Sequence, residues 1–311
     1  MREHFFLGFK FLIPFCAVVL FASFCPGQND ALHQDTAANQ WKTTQLEELD
    51  QRLDSGTAKN TQRRELESRK AWLTKWTPGK MDADARENSS LPKVRTEPIL
   101  NSIPATELQK ELMAVQGSGE ENTVIRIFEK AIANHPNDIG TQQLHLSWID
   151  HPLRRKSFLN EIEVSTNRLL KLLETQDRLA PEIQLARQFT LYRRGRALAY
   201  RELPDVVKHT PITDPKRLDD AIRSAYEELI SSSGSGRPEF VLLEIRVLRR
   251  DEKFGTALCM LEKFGSVIKP KWYLKKRRDL LKELQWEFPH DEAAAIYASK
   301  FPEEVAKEAL E

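Results

Sequence analysis

Apolar residues in this chain recur at three- and four-residue steps over most of its length, and stretches that alternate every second residue are nearly absent. That pattern predicts amphipathic helices and an all-α fold. The clearest stretch runs from Pro238 to Pro270. Val241, Leu242, Ile245 and Leu248 share one face of a first helix, and Phe254, Ala257, Leu258, Leu261 and Phe264 share a face of a second. Pro238 suits a first helical turn, and Pro270 stops the second helix and opens the next element. Neither apolar face can be buried by its own helix, so neighbouring pairs are expected to stack.

Residues 28–39 are polar and are expected to be disordered. Residues 40–77 form an expected helical hairpin, with Leu46, Leu49 and Leu53 on one helix and Leu66, Leu73 and Trp76 on the other. Gly56 and Asn60 are the expected C-cap and N-cap between them. Residues 78–103 lack a sustained period, contain Pro92 and Pro98, and are taken as a linker. A helical repeat domain is expected over 104–311. Its first pair spans 106–115 and 121–134, and its second 139–149 and 154–175. A third opens at Pro181, and after a loop Asp214-Pro215 gives an N-cap followed by proline at the first helical position. The stretch 238–270 is the fourth pair. Residues 271–286 with 291–299 make the fifth, and Pro302 begins a short last helix.

Two of these helices carry a further pattern. Ala257, Leu261 and Phe264 before Pro270, and Val124, Phe128 and Ala131 before Pro136, resemble the second helix of a tetratricopeptide repeat. Ile245 stands where that family prefers glycine, and Val124 where it prefers alanine. The resemblance implies a right-handed solenoid of about five helical hairpins over residues 104–301. It also implies a non-catalytic scaffold that binds a protein or an extended peptide along a concave face.

The 311 residues are 40% hydrophobic and 30% charged with a net charge of +1, so bulk charge does not make the chain a polyanion binder. The N-terminus changes the picture. Arg2, His4 and Lys10 precede the apolar run 11–24, a positive flank followed by a segment of signal-peptide length. Cleavage after Gly27, with Ala22 as the alternative, would export the rest, to the periplasm or outside the cell. An uncleaved segment would tether it to a membrane. Cys16 and Cys25 belong to that segment; Cys259 is expected as a small buried hydrophobe. Asn88-Ser89-Ser90 is formally a glycosylation acceptor.

Chemistry is sparse. The sequence has no HExxH, CxxC, phosphate-binding glycine–lysine loop or GxSxG, so no catalytic residue, metal or cofactor is assigned. Asp150-His151 precedes a proline and is taken as a helix C-terminus rather than a catalytic pair. Local charge is more informative. Residues 238–286 hold 12 Lys and Arg against 7 Asp and Glu, a balance of +5. Lys271, Lys275, Arg278 and Lys282 form one row on a helix, flanked by Trp272 and Trp286, and Arg246, Arg249 and Arg250 precede it. Arg277 falls inside the apolar arc and must snorkel or find a carboxylate. Such a row is either a solvated helix face or a site for an anionic partner. The expected partner site is Lys271, Trp272, Lys275, Arg278, Lys282, Trp286, Arg246 and Arg249, taking an acidic protein segment; nucleic acid is disfavoured by export. A second basic knot, Arg193-Arg194-Gly195-Arg196, is expected on a solvated face. The competing classes are an exported enzyme acting on cell-wall or glycan material and a membrane-tethered assembly factor.

Overall fold

The structure, a computed structural model, describes residues 28–56, 59–81, 93–115, 121–234 and 236–309. The expected export signal and the Asn88 acceptor lie outside these residues. Every regular element among the described residues is a helix. In order they are α1 Gln28–Asp54, α2 Asn60–Lys75, α3 Ile103–Ala114, α4 Glu121–Asn134 and α5 Ile139–Ile149. Then come α6 Leu159–Glu174, α7 Pro181–Tyr200, α8 Pro204–Val207, α9 Pro215–Ser233 and α10 Val241–Arg250. The last are α11 Phe254–Phe264, α12 Pro270–Glu283, α13 Glu287–Lys300 and α14 Pro302–Glu308. No helix of the described residues is long and apolar enough to cross a membrane.

Helix ends follow local chemistry. Asp138 accepts the Thr141 N–H at 2.8 Å to start α5, and Asp214 accepts the Arg217 N–H at 2.9 Å to start α9. Proline occupies the first turn of α7, α9, α12 and α14. Gly56, just past α1, takes the left-handed conformation at φ 66° that a glycine accepts without cost. The N-cap of α2 is Lys59, one residue before the expected Asn60.

From α3 to α14 the long helices pack against their neighbours in sequence, in hairpin-like contacts compatible with a helical repeat solenoid. The buried side chains gather in three clusters. Leu146, Ile149, Ile162, Leu169 and Leu173 lead the first, on α5 and α6. Leu191, Ile222, Ala225, Leu229 and Leu243 lead the second, on α7, α9 and α10. The third joins α10 to α13 through Ile245, Ala257, Leu258, Leu261, Leu281 and Tyr297. Each fully buried leucine-sized side chain contributes about 1.5–3 kcal/mol. Ala257 is fully buried within this third cluster.

Two expectations about the N-terminal part need correcting. Residues 28–39 are not disordered; they are the first turns of α1, and Ala38 is buried against the third cluster. The hairpin of α1 and α2 does not stand apart either. It packs on α11, and Leu49, Leu66, Trp72, Leu73 and Trp76 belong to the same core as α10 to α13. The physical cause is a tryptophan cluster. Trp41 and Trp72 bring their rings to 6.5 Å and 5.4 Å from that of Trp286, so the hairpin can bury its apolar side only against the C-terminal helices. The expected linker is also partly fixed. Leu100 donates its N–H to Gln143 at 2.9 Å, and Arg95 meets Glu239 at 2.6 Å, which straps residues 93–102 across α5, α7 and the start of α10.

Candidate functional site

Helix α10 is buried on two sides. Val241 and Ile245 face the α11 core, while Leu243 and Val247 face α7 and α9. What remains is a narrow outward arc bearing Arg246, Arg249 and Arg250. The core side of α12 holds Tyr273, Leu274, Leu280 and Leu281, leaving two polar flanks. Residues 271, 275 and 278 lie on one flank, toward α14. Residues 276, 279 and 283 lie on the other, toward α10.

The first flank contains most of the expected basic row, and the structure places it under α14. Lys271 meets Glu304 at 2.7 Å, Lys275 pairs with Glu308, and Arg278 reaches Glu308 at 2.8 Å and Asp279 at 2.7 Å. The Arg278 guanidinium also lies 4.6 Å from the centre of the Tyr297 ring on α13. These pairs hold the Glu304 and Glu308 carboxyls below the usual range, Glu304 through its hydrogen bond from Lys271, and Glu308 against a burial that alone would raise it. Lys282 is exposed and takes part in no ion pair among the described residues. The aromatic flank splits in two. Trp272 is 46% exposed with the Lys271 amine over its ring, whereas Trp286 is buried at 3% in the tryptophan cluster. Trp286 is therefore a core residue and not a contact for a partner.

The second flank was not recognised as a group in the sequence. Arg249 of α10 grips Glu283 of α12, its Nε donating to Oε2 at 3.0 Å. Arg246 and Arg250 share one carboxylate, Glu202, at the end of α7, and Arg250 also reaches Asp219 at 2.5 Å. Lys276 sits against Arg249 and Arg246 and belongs to no ion pair of the described residues. Burial, then these two guanidiniums, push its amine down to about 8; Asp279 opposes the shift weakly and Lys275 adds to it. Burial first, then Arg250 and Arg249, likewise lower Arg246 to about 10. The Arg246 Nε is buried with no hydrogen-bond partner. Where α10 meets α12, the cations Arg246, Arg249, Arg250 and Lys276 thus stand among the carboxylates of Glu202, Asp219, Asp279 and Glu283. No sequence signal marks Lys276, because its surroundings come from α10, about 30 residues away along the chain.

Arg277 resolves as expected for an arginine inside an apolar arc. It is buried, with its Nε 2.8 Å from Glu262. The second basic knot does not face solvent. Arg193 meets Glu97 at 2.6 Å and Asp150 at 3.3 Å, Arg196 pairs with Asp150, and Arg194 meets Glu228 at 2.9 Å. Asp150, at the C-cap of α5, also takes the Arg155 Nε at 2.5 Å. The knot is a buried ionic joint between the 93–102 strap, α5 and α7.

Two clefts remain. One, of about 450 Å³, lies between the starts of α6 and α9 and the end of α7. Two of its cations are already engaged, Lys156 with Asp205 and Arg201 with Glu163. The other, of about 420 Å³, lies between the α1–α2 turn and the α10–α11 turn. No cluster of three metal-ligating side chains is present among the described residues. Cys259 donates to the Ser68 carbonyl at 3.3 Å, and burial pushes its thiol up to about 11. No protein family, curated protein or solved structure matches the chain.

Proposed function

We propose that this chain is an exported, non-catalytic scaffold: a solenoid of about five tetratricopeptide-like hairpins that binds an acidic segment of another protein across α10 and α12. The observation that carries this reading is the basic row on α12, where Lys271, Lys275 and Arg278 already hold carboxylates and Lys282 is exposed and in no ion pair among the described residues. Helix α14 shows the kind of side chain such a face accepts, since Glu304 and Glu308 already occupy that row. Trp272, exposed at the edge, adds apolar contact that charge alone lacks. Export rests on the positive flank and apolar run at the N-terminus.

The test is capture of partners from the exported fraction with wild-type protein and with a Lys275→Glu, Arg278→Glu double variant. An acidic partner that is lost from the variant, with helicity intact by circular dichroism, supports the reading. The same partners held with the same affinity by both proteins would contradict it.

A further inference from the structure

We propose that α14 is an internal mimic of the partner: the row on α12 takes an acidic helix whose carboxylates stand four residues apart on one face, and that helix displaces α14 to reach Lys271, Lys275 and Arg278. This rests on the reading of the row as a surface for an acidic segment. It names the form and spacing of that segment, and what covers the surface in its absence.

The carboxylates of α14 match the row in register. Glu304 meets Lys271, and Glu308, four residues on, meets Lys275 and Arg278. Four residues rise about 6 Å along either helix, so acid follows acid at the step at which cation follows cation. Neighbouring cations on one helix face repel each other, and the two glutamates relieve that repulsion. A helix from another protein with the same spacing offers the same relief. A segment that is already helical also loses less conformational freedom on docking than an unstructured acidic chain does.

Helix α14 is weakly held. It has 7 residues and none of them is buried. Val305, with Phe301 just before the helix, packs partly buried against the third cluster. The contacts that tie α14 to α12 are the ion pairs, whose side chains are all partly exposed, and such pairs stabilise little. Lifting α14 therefore uncovers little apolar surface. An incoming helix also has two contacts that Glu304 and Glu308 do not make. Lys282 continues the row by one turn, and Trp272 stands 46% exposed beside Lys271. Pro302 bars α13 from running on into α14 as one straight helix, which disfavours exchange of α14 with a second copy of the chain.

The experiment is calorimetric titration of the full chain at low salt with three C-terminally amidated probes. The first is an alanine-based helical peptide with glutamates at i, i+4 and i+7, on one face. The second has the same composition with a glutamate at every fifth position, spread round the helix. The third is hexaglutamate, which offers side-chain carboxylates without a fixed helix. Wild type binds the first about tenfold more tightly than the second, the scale of one charge-assisted hydrogen bond. The Glu304→Gln, Glu308→Gln variant binds the first several-fold more tightly than wild type does. In wild type, the first peptide also speeds amide exchange in Pro302–Glu308, a readout that needs no variant. Equal affinity for the two alanine-based peptides overturns the helical spacing while hexaglutamate binding leaves the acidic-segment reading in place. No gain in the Gln variant with its helicity intact, or unchanged exchange in α14 with the first peptide bound, overturns the mimicry. A wild-type dimer in sedimentation that the Gln variant does not form gives the row to α14 of a second copy and overturns the proposal too. No binding of any probe overturns both the proposal and the reading it rests on.

Discussion

The Glu65 carboxylate on α2 accepts the Gly255 backbone N–H at 2.6 Å, between residues 190 apart in sequence. It also accepts the Thr256 N–H and hydroxyl, each at 2.9 Å. Glu65 therefore caps α11 from another helix, in the place where a local Ser or Asp would ordinarily stand. Position 255 tolerates no side chain here: a Cβ would lie 2.4 Å from Arg69 Cγ and 3.0 Å from the Arg69 nitrogen.

Removing that cap should loosen the N-terminal hairpin. Glu65→Ala strands two backbone donors, the Thr256 hydroxyl and the Arg69 guanidinium, and should cost about 3 kcal/mol in denaturant unfolding. Gly255→Ala should lower the melting temperature in the same way. Wild-type stability in both variants would mean that α2 is not held to α11 by this contact.

The ionic joint around Asp150 makes a second prediction. Asp150→Asn leaves Arg155, Arg193 and Arg196 without their shared charge in a buried setting, which should cost about 3–5 kcal/mol. Asp205→Asn, in the exposed pair with Lys156, should change little. Comparable losses in the two variants, measured by urea unfolding, would contradict the difference in burial.

A third prediction concerns pH. His145 packs beside Phe128, and burial, with Arg168 adding to it, lowers its imidazole to about 4. In the unfolded chain the same group titrates near its ordinary value of about 6.5. Folding therefore requires the neutral ring, and stability is lost as pH falls from about 6.5 toward 4, by up to about 3 kcal/mol. His145→Gln should remove that component. Parallel stability curves for the two proteins between pH 7 and 4 would show that His145 is not sequestered.

These residues also show how much the sequence disclosed. The bounds of α4 and α5 were legible to the residue, because their apolar periods end at Asn134-His135-Pro136, Asp138 and Asp150. The start of α1 was not, because its first twelve residues carry little apolar signal. Its burial depends on the tryptophan cluster, which includes a residue more than two hundred positions away. The row at Lys271, Lys275 and Arg278 was visible from helical spacing alone, but its cover was not, since Glu304 and Glu308 arrive with a separate helix. Trp286 looked like a surface aromatic for the same reason: the rings that bury it come from α1 and α2. Local periodicity assigns a residue to a face, and only the packing of remote helices decides what that face meets.

Helix α14 gives a fourth prediction. If its glutamates occupy part of the surface that an acidic segment would use, Glu304→Gln with Glu308→Gln should free Lys271, Lys275 and Arg278. Affinity for amidated hexaglutamate, read by calorimetry at low salt, should rise several-fold and fall again as salt is added. Unchanged or weaker binding would mean that α14 and the peptide do not compete.

The most direct test of the binding surface is amide hydrogen exchange followed by mass spectrometry, on the free protein and with saturating hexaglutamate. The account predicts slower exchange in Val241–Arg250 and Pro270–Glu283 on binding, and faster exchange in Pro302–Glu308 as α14 gives up its pairs with Lys271 and Lys275. Protection confined to other helices, or no change at α10 and α12 with the peptide bound, would contradict it.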